Sequence, residues 1–320
     1  MSSSFSESLS KLASSVANID IARMTEKVST SVSNLNIENV FSNQPRGLSN
    51  FISEIRSCKN KQDERVRVDA ELGNIRGKFS VTANLTSYQK KKYVWKLCYI
   101  HMLGYDVDFG HLEFISLMAS SKYTEKSVGY MAISLMLKPG DELMTLVVNS
   151  MRNDIIGQTH FGQTLGLSAV SNIGGADLAE ALASDVQRLI VRPLDMSPHQ
   201  HVNAMISSDM DYRNKAMLCK KASLCLLRLF RTNPDILILE DWMPRLANLL
   251  EDRDLGVVTS VMSLLLGLSS SSPHLFEPLV PYVISILTRL VVTKSCPNDY
   301  LYYRIPCPWL QVKALRFLQY

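Results

Sequence analysis

Apolar residues recur at three- and four-residue steps through most of the 320-residue chain, and no stretch sustains the alternation of a half-buried strand. From Arg46 onward this spacing predicts helices over about 48–59, 61–79, 86–104, 110–120, 124–137, 140–155, 161–173, 176–192, 211–231, 240–251, 254–270, 275–294 and 308–319. Helix breakers fall in the gaps: Gly104 and Gly110, Lys138-Pro139-Gly140, Gly174-Gly175, Asn233-Pro234, the run from Ser269 to Pro273, and the run from Pro297 to Pro308. Thr124 with Glu125, and Asp141 with Glu142, suit first helical turns, where a carboxylate meets the positive helix end.

Helix starts near 86, 124 and 161, and again near 211 and 254, step by roughly 40 residues, the period of a two-helix HEAT or armadillo unit. Each such unit buries one face against its neighbours. The expected fold is therefore all-α, a HEAT/armadillo-like α-solenoid of stacked antiparallel helix pairs over residues 46–320. The pattern is still helical and apolar at Tyr320, with no polar capping repeat, so a truncated solenoid is expected. Residues 1–45 differ: they are rich in Ser, Thr and Asn, with one Pro and no Gly. Within them Phe5, Leu9, Leu12, Val16 and Ile19, then Ile21, Met24, Val28, Val32 and Leu35, keep helical spacing with a Ser/Thr polar face. Two readings stay open, a disordered extension or an amphipathic helix lying in a membrane interface.

Composition adds a few bounds. With 46% hydrophobic and 20% charged residues there is ample material for a core, in one long domain or two. Cys58, Cys98, Cys219, Cys225, Cys296 and Cys307 have no paired short spacing, and several lie in apolar helical runs, which suits buried reduced thiols in a cytosolic protein. The N-terminus does not resemble a signal peptide. No apolar run is read as approaching the roughly 20 residues that span a bilayer, so the expectation is a soluble protein with at most peripheral membrane contact.

No catalytic pattern emerges. His101, His111, His160, His199, His201 and His274 show neither HExxH nor Cys/His ligand spacing, so no metal and no cofactor are expected. Asn172-Ile173-Gly174-Gly175 and Phe161-Gly162 follow no strand and precede no phosphate-loop lysine, which makes their glycines helix ends. There is no Gly-x-Ser-x-Gly elbow, and the chain is not expected to be an enzyme.

Charge distribution changes the picture. Between Arg56 and Lys96 stand eleven basic residues, Arg56, Lys59, Lys61, Arg65, Arg67, Arg76, Lys78, Lys90, Lys91, Lys92 and Lys96, against four acids, Asp63, Glu64, Asp69 and Glu71. The whole chain carries only +4, so this excess makes the remainder net acidic. Lys90, Lys91 and Lys92 open a helix, with Tyr88 and Tyr93 beside them and Lys96 one turn past Lys92. At a helix start three lysines fan around the end, where free N–H groups and the dipole also favour an anion. Clustered headgroup phosphates suit this arrangement, at about 1 kcal/mol per lysine near an anionic surface. Nucleic acid is the rival polyanion, but exposed aromatic platforms and groove-reading motifs are missing. Trp95 and Tyr99 are expected to face the core.

Lys90-Lys91-Lys92-Tyr93-Val94-x-Lys96-Leu97 resembles the lysine-rich second-repeat helix of the α-adaptin family. The segments from Leu103 through Gly104, Asp108 and Gly110 to Glu113, and from Lys122 through Glu125 and Lys126 to Gly129-Tyr130, resemble adaptin large chains, the α type above all. Leu224–Leu229, Asp241-Trp242, Leu255–Thr259, and Tyr302-Tyr303 through Pro308-Trp309 to Lys313 keep the family's order. The γ-type chains match less well in the triple lysine and in the Tyr302–Trp309 segment.

This resemblance, spanning about Arg46 to Tyr320, implies a non-catalytic large subunit of a heterotetrameric endocytic clathrin adaptor. Its implied partners are beta-, mu- and sigma-type adaptins and, indirectly, clathrin, at the cytoplasmic face of the plasma membrane in coated pits. The implied ligand is phosphatidylinositol 4,5-bisphosphate, through Arg46, Lys78, Tyr88, Lys90, Lys91, Lys92, Tyr93 and Lys96. Arg56 is implied as the contact for the acidic residue of dileucine cargo tails. A large subunit of an Arf-dependent adaptor or coat at Golgi or endosomes, and a HEAT-type protein scaffold, stay as alternatives. Residues 1–45 have no recognised counterpart, and Pro193 to Asp211 reads as a longer loop than the family's turn.

Overall fold

The computed structural model describes residues 46–80, 85–190 and 205–320, with side chains described from 47 in the first stretch and from 212 in the last. The readings made for residues 1–45, for the Arg46 side chain and for the chain between 191 and 204 fall outside these. Thirteen α-helices stand among the described residues: α1 Arg46–Ser57, α2 Lys61–Ser80, α3 Ser87–Met102, α4 His111–Met118, α5 Tyr123–Met136, α6 Met144–Ile156, α7 His160–Ile173, α8 Ala176–Ile190, α9 Met205–Thr232, α10 Met243–Leu250, α11 Leu255–Ser269, α12 Val280–Leu287 and α13 Pro308–Phe317. Each answers to one of the helices expected from the spacing.

The described residues divide into two compact units, one ending at Val68 and the other beginning at Asp69, with the boundary inside α2. In the first unit Leu48, Phe51 and Ile55 are buried at helical spacing, as is Val68. Arg67 pairs with Glu54 at 2.6 Å and lies 4.9 Å from the Phe51 ring centroid.

In the second unit the helices form two layers. α3, α5, α7, α9, α11 and α13 lie side by side in that order, each packing on the next. The other layer places α6 beside α8 and α10 beside α12, and α4, α6, α8, α10 and α12 each pack on the helix that follows in the chain. That is the α-solenoid the 40-residue period implies, all-α and built of antiparallel pairs. A helix held between same-layer neighbours must be apolar nearly all round. α11 obeys: Val257, Val258, Val261, Met262, Leu264, Leu265 and Leu268 are all buried. Asp254 caps it, accepting from the N–H groups of Gly256 (2.7 Å) and Val257 (3.2 Å). Burial pushes this carboxyl up, but Lys220 at 3.0 Å and those two N–H groups outweigh it and hold the pKa below the ordinary value.

Several details depart from expectation. α9 begins at Met205, so Met205–Asp211 is helix and not loop; nothing between Met205 and Thr232 is Pro or Gly, and the helix runs back to its limit. α6 begins only at Met144, and Asp141 instead accepts the Lys138 N–H (2.7 Å) to close the preceding turn. A two-residue antiparallel pair, Leu301–Tyr302 with Ile305–Pro306, sits inside the expected breaker run. Its turn residues Tyr303 (φ 48°) and Arg304 (φ 66°) are left-handed, as a tight hairpin turn demands. Pro273–Val292 is one 20-residue helical stretch containing an 18-residue window of mean hydropathy 1.7, long and apolar enough by length and composition to cross a membrane, contrary to the reading that no run approaches that length. It is 3-10 over Pro273–Leu279, α over Val280–Leu287 and π over Thr288–Val292. Pro278, Pro281, Glu277 and Arg289 interrupt it, while Phe276, Leu279, Val283, Ile286 and Leu290 are buried in the stack.

All six cysteines are free thiols, four of them buried and Cys58 and Cys296 half-buried. Burial pushes the Cys98 thiol up to about 12 and Cys225 to about 11.

Candidate anion-binding surface

The start of α3 is fixed by Thr86. Its side chain accepts from the Gln89 N–H at 3.3 Å, and the Gln89 side chain accepts from the Thr86 N–H at 3.0 Å. This reciprocal pair is the Ser/Thr-x-x-Glu/Gln capping box, and it occupies N–H groups that would otherwise be free for an anion. The backbone's share in anion binding is therefore smaller than the sequence alone suggests.

Side chains supply what remains. Lys90 Nζ donates to the Ser116 hydroxyl of α4 at 3.2 Å, and Lys92 Nζ lies 4.6 Å from the Tyr93 ring centroid. Lys90, Lys91 and Lys92 are each half-buried, with stems on the protein and no carboxylate partner among the described residues. Tyr88 is exposed beside them, and Lys78, in the last turn of α2, is exposed as well. The structure thus brings a cationic helix end to the surface.

Two of the expected ligand residues go elsewhere. Lys96 is only 8% exposed, and its ammonium bonds the Glu71 carboxylate at 2.6 Å. A charge this deep requires its counter-charge, so Lys96 belongs to an internal ion pair and is not offered to a surface ligand. Tyr93 is also buried; its ring meets Phe79 edge-on at 6.0 Å, and it supports the lysines from beneath. Trp95 packs half-buried against the core as expected. In the first unit Arg56 is exposed in the last turn of α1, without a carboxylate partner among the described residues.

The chain matches the family model for the adaptin N-terminal region over residues 64–320. The chain belongs to the adaptin family. Among relatives, it is 50% identical over 275 residues to the AP-2 complex subunit alpha-1 of Arabidopsis thaliana, covering 86% of this chain and 25% of that protein. It is 38% identical over 287 residues to the AP-2 complex subunit alpha-2 of Dictyostelium discoideum, covering 90% and 27%. With the AP-2 complex subunit alpha of Schizosaccharomyces pombe the identity is 36% over 279 residues, covering 87% and 29%. The likeness is thus to α subunits, and the adaptin chain spans about a quarter of the Arabidopsis protein's length.

Knowing the adaptin's geometry shows what its signature segments do. Lys126 reaches Asp154 at 2.7 Å, and the Tyr130 hydroxyl donates to the same carboxylate at 2.6 Å, joining α5 to α6. Burial, the Asp154 bond and the Asp154 charge all raise the Tyr130 pKa, so it stays a donor. A Cβ on Gly129 would collide with α4, 2.8 Å from the Phe114 carbonyl oxygen, so only glycine lets α4 and α5 cross so closely. Arg76 bonds Asp108 at 2.9 Å and covers the Phe109 ring at 4.6 Å. These segments fix helix packing. The surface role, by contrast, rests on the triple lysine. Glu71 as partner of Lys96 was missed in the sequence, where the two lie 25 positions apart with no local signal; Thr86-x-x-Gln89 carried a readable one.

Proposed function

We propose that this adaptin is the trunk portion of an α-type large subunit in a heterotetrameric clathrin adaptor, non-catalytic, working at the cytoplasmic face of the plasma membrane in endocytosis. The observation that carries the membrane role is the exposed start of α3, where Lys90, Lys91 and Lys92 stand adjacent without any carboxylate partner among the described residues. The names of the α-subunit relatives support the adaptor role. In this reading the three lysines, with Lys78 and Tyr88, meet the phosphates of phosphatidylinositol 4,5-bisphosphate. Beta-, mu- and sigma-type adaptins complete the complex. Arg56 meets the acidic residue of a dileucine cargo tail, a role that suits an exposed guanidinium.

Three lysines at about 1 kcal/mol each supply ~3 kcal/mol, which alone holds the chain weakly and becomes firm attachment only when several sites engage one membrane. The test is sedimentation with vesicles carrying phosphatidylinositol 4,5-bisphosphate. Replacing all three lysines by Ala is expected to abolish binding, and undiminished binding by that variant would overturn the reading. For Arg56, the Arg56→Ala variant is expected to release an acidic dileucine peptide from the assembled complex while vesicle binding persists.

A further inference from the structure

A second cationic surface lies far along the chain from the first, in the part that is net acidic. From Tyr212 to its end α9 contains no Asp or Glu, and neither do α7, α11 or α13, which share its layer. Acids in this part of the chain fall instead at the start of α9, at Asp209 and Asp211, on α8 and in the connections, as with Asp185 and Asp254. Across α9, α11 and α13 runs a groove of about 490 Å³, and none of its lining residues is acidic. Arg231 of α9 and Lys313 and Arg316 of α13 bring three cations to it. Arg231 and Arg316 are exposed and have no carboxylate partner among the described residues.

Lys313 is the more telling of the three. It is partly buried, and among the described residues its ammonium is held by the Ser263 hydroxyl at 2.6 Å and the Thr259 carbonyl at 3.4 Å, both neutral. Desolvation accordingly holds its pKa below the ordinary lysine value. A carboxylate arriving here would supply the counter-charge that the fold omits. Beside these cations the groove is apolar. Trp309 and Val312 leave 64% and 61% of their surface uncovered, and Leu227 and Leu266 line the floor. An uncovered Trp that shares a groove with three cations is the composition of an interface anchor point.

We propose that this groove docks an acidic peptide segment of a partner protein. One large apolar side chain of the segment would seat against Trp309 and Val312, and flanking carboxylates would meet Arg231, Lys313 and Arg316. Charge complementarity picks the sign of the occupant, and concavity picks its kind. A bilayer is flat on this scale and would touch only the rim, leaving Leu227 and Leu266 unreached. Same-layer helices at 8–10 Å spacing put α9 and α13 ~20 Å apart, which about six residues of extended chain would cross. The site is independent of the lysines at the start of α3.

The test is fluorescence anisotropy of the full chain with fluorescein-labelled heptapeptides of acidic residues and a single Phe, the Phe moved through every position. Control peptides replace the acids by their amides, or the Phe by Ala. At least one acidic Phe-bearing peptide is expected to bind about tenfold or more tighter than both of its controls. Arg231→Glu combined with Arg316→Glu is expected to weaken it about tenfold or more, and Trp309→Ala likewise, with circular dichroism verifying that each variant folds. Replacing Lys90, Lys91 and Lys92 by Ala should leave that peptide's affinity unchanged. The proposal is overturned if no peptide prefers acids over amides, or if the preference survives both the charge reversal and Trp309→Ala. It is equally overturned if the charge reversal leaves peptide binding intact but releases the chain from phosphatidylserine vesicles.

Discussion

Two successive turns of α3 carry lysines of opposite fate. In the first, Lys90, Lys91 and Lys92 lie at the surface with no carboxylate among the described residues to neutralise them. A turn later Lys96, in register with Lys92, is buried on Glu71. The residues are chemically identical and four positions apart, so composition cannot separate them. Burial does. Where the helix end projects from the stack a lysine keeps its hydration and its charge is available to a ligand. Once the helix enters the stack, a charge survives only by taking an internal partner. Counting basic residues between Arg56 and Lys96 therefore overstates the available charge, since Lys61, Arg67, Arg76 and Lys96 are all spent on Glu64, Glu54, Asp108 and Glu71.

The sharpest way to break this contrast is at the buried turn. Lys96→Ala takes the ammonium 2.6 Å away from the buried Glu71 carboxylate and is expected to cost about 3–5 kcal/mol, a drop in Tm on the order of 10 °C. Replacing both partners by apolar residues of similar size, Lys96→Met with Glu71→Leu, should restore most of the loss. Thermal unfolding followed by circular dichroism checks both. If Lys96 instead served a surface ligand, the single variant would unfold near the parent temperature and lose vesicle binding in its folded form.

The exposed turn should answer in the opposite way. Replacing Lys90, Lys91 and Lys92 by Ala is expected to lower affinity for vesicles bearing phosphatidylinositol 4,5-bisphosphate by about 100-fold, from ~3 kcal/mol. The same variant should lose only a few degrees in Tm, because it gives up half-buried stems, one bond to the Ser116 hydroxyl and one ring contact, but no ion pair. A large fall in Tm would mean that these lysines hold the fold, and the distinction between the two turns would disappear.

The two turns also differ in how far they could be read before the structure was known. Every helix was legible, because apolar spacing and the Gly and Pro breakers are local signals, and packing of the layers left them in place. The pairing of Lys96 with Glu71 was not, since it depends on how α2 and α3 dock, and docking leaves no trace in the spacing of either helix. The groove beside Trp309 escaped for the same reason: Arg231 and Arg316 lie on helices separated by most of a hundred residues, and only the same-layer stacking of α9, α11 and α13 unites them. Local chemistry was overlooked at two helix caps, Thr86 and Asp254, whose side chains could have been read directly.

The Thr86 cap supplies the finest test of the exposed turn. Thr86→Ala removes the acceptor for the Gln89 N–H and should cost about 1 kcal/mol, a few degrees in Tm at most. It also sets that N–H free at the positive end of α3, beside the three lysines. If backbone amides took a leading part in holding phosphate, the substitution would tighten vesicle binding. The lysine side chains are expected to dominate, because an exposed helix end contributes only about 0.3–1 kcal/mol to an anion and salt screens even that. Vesicle affinity of the Thr86→Ala variant should therefore stay within about twofold of the parent. A clear gain in affinity would move the centre of the site from the ammonium groups to the helix end itself.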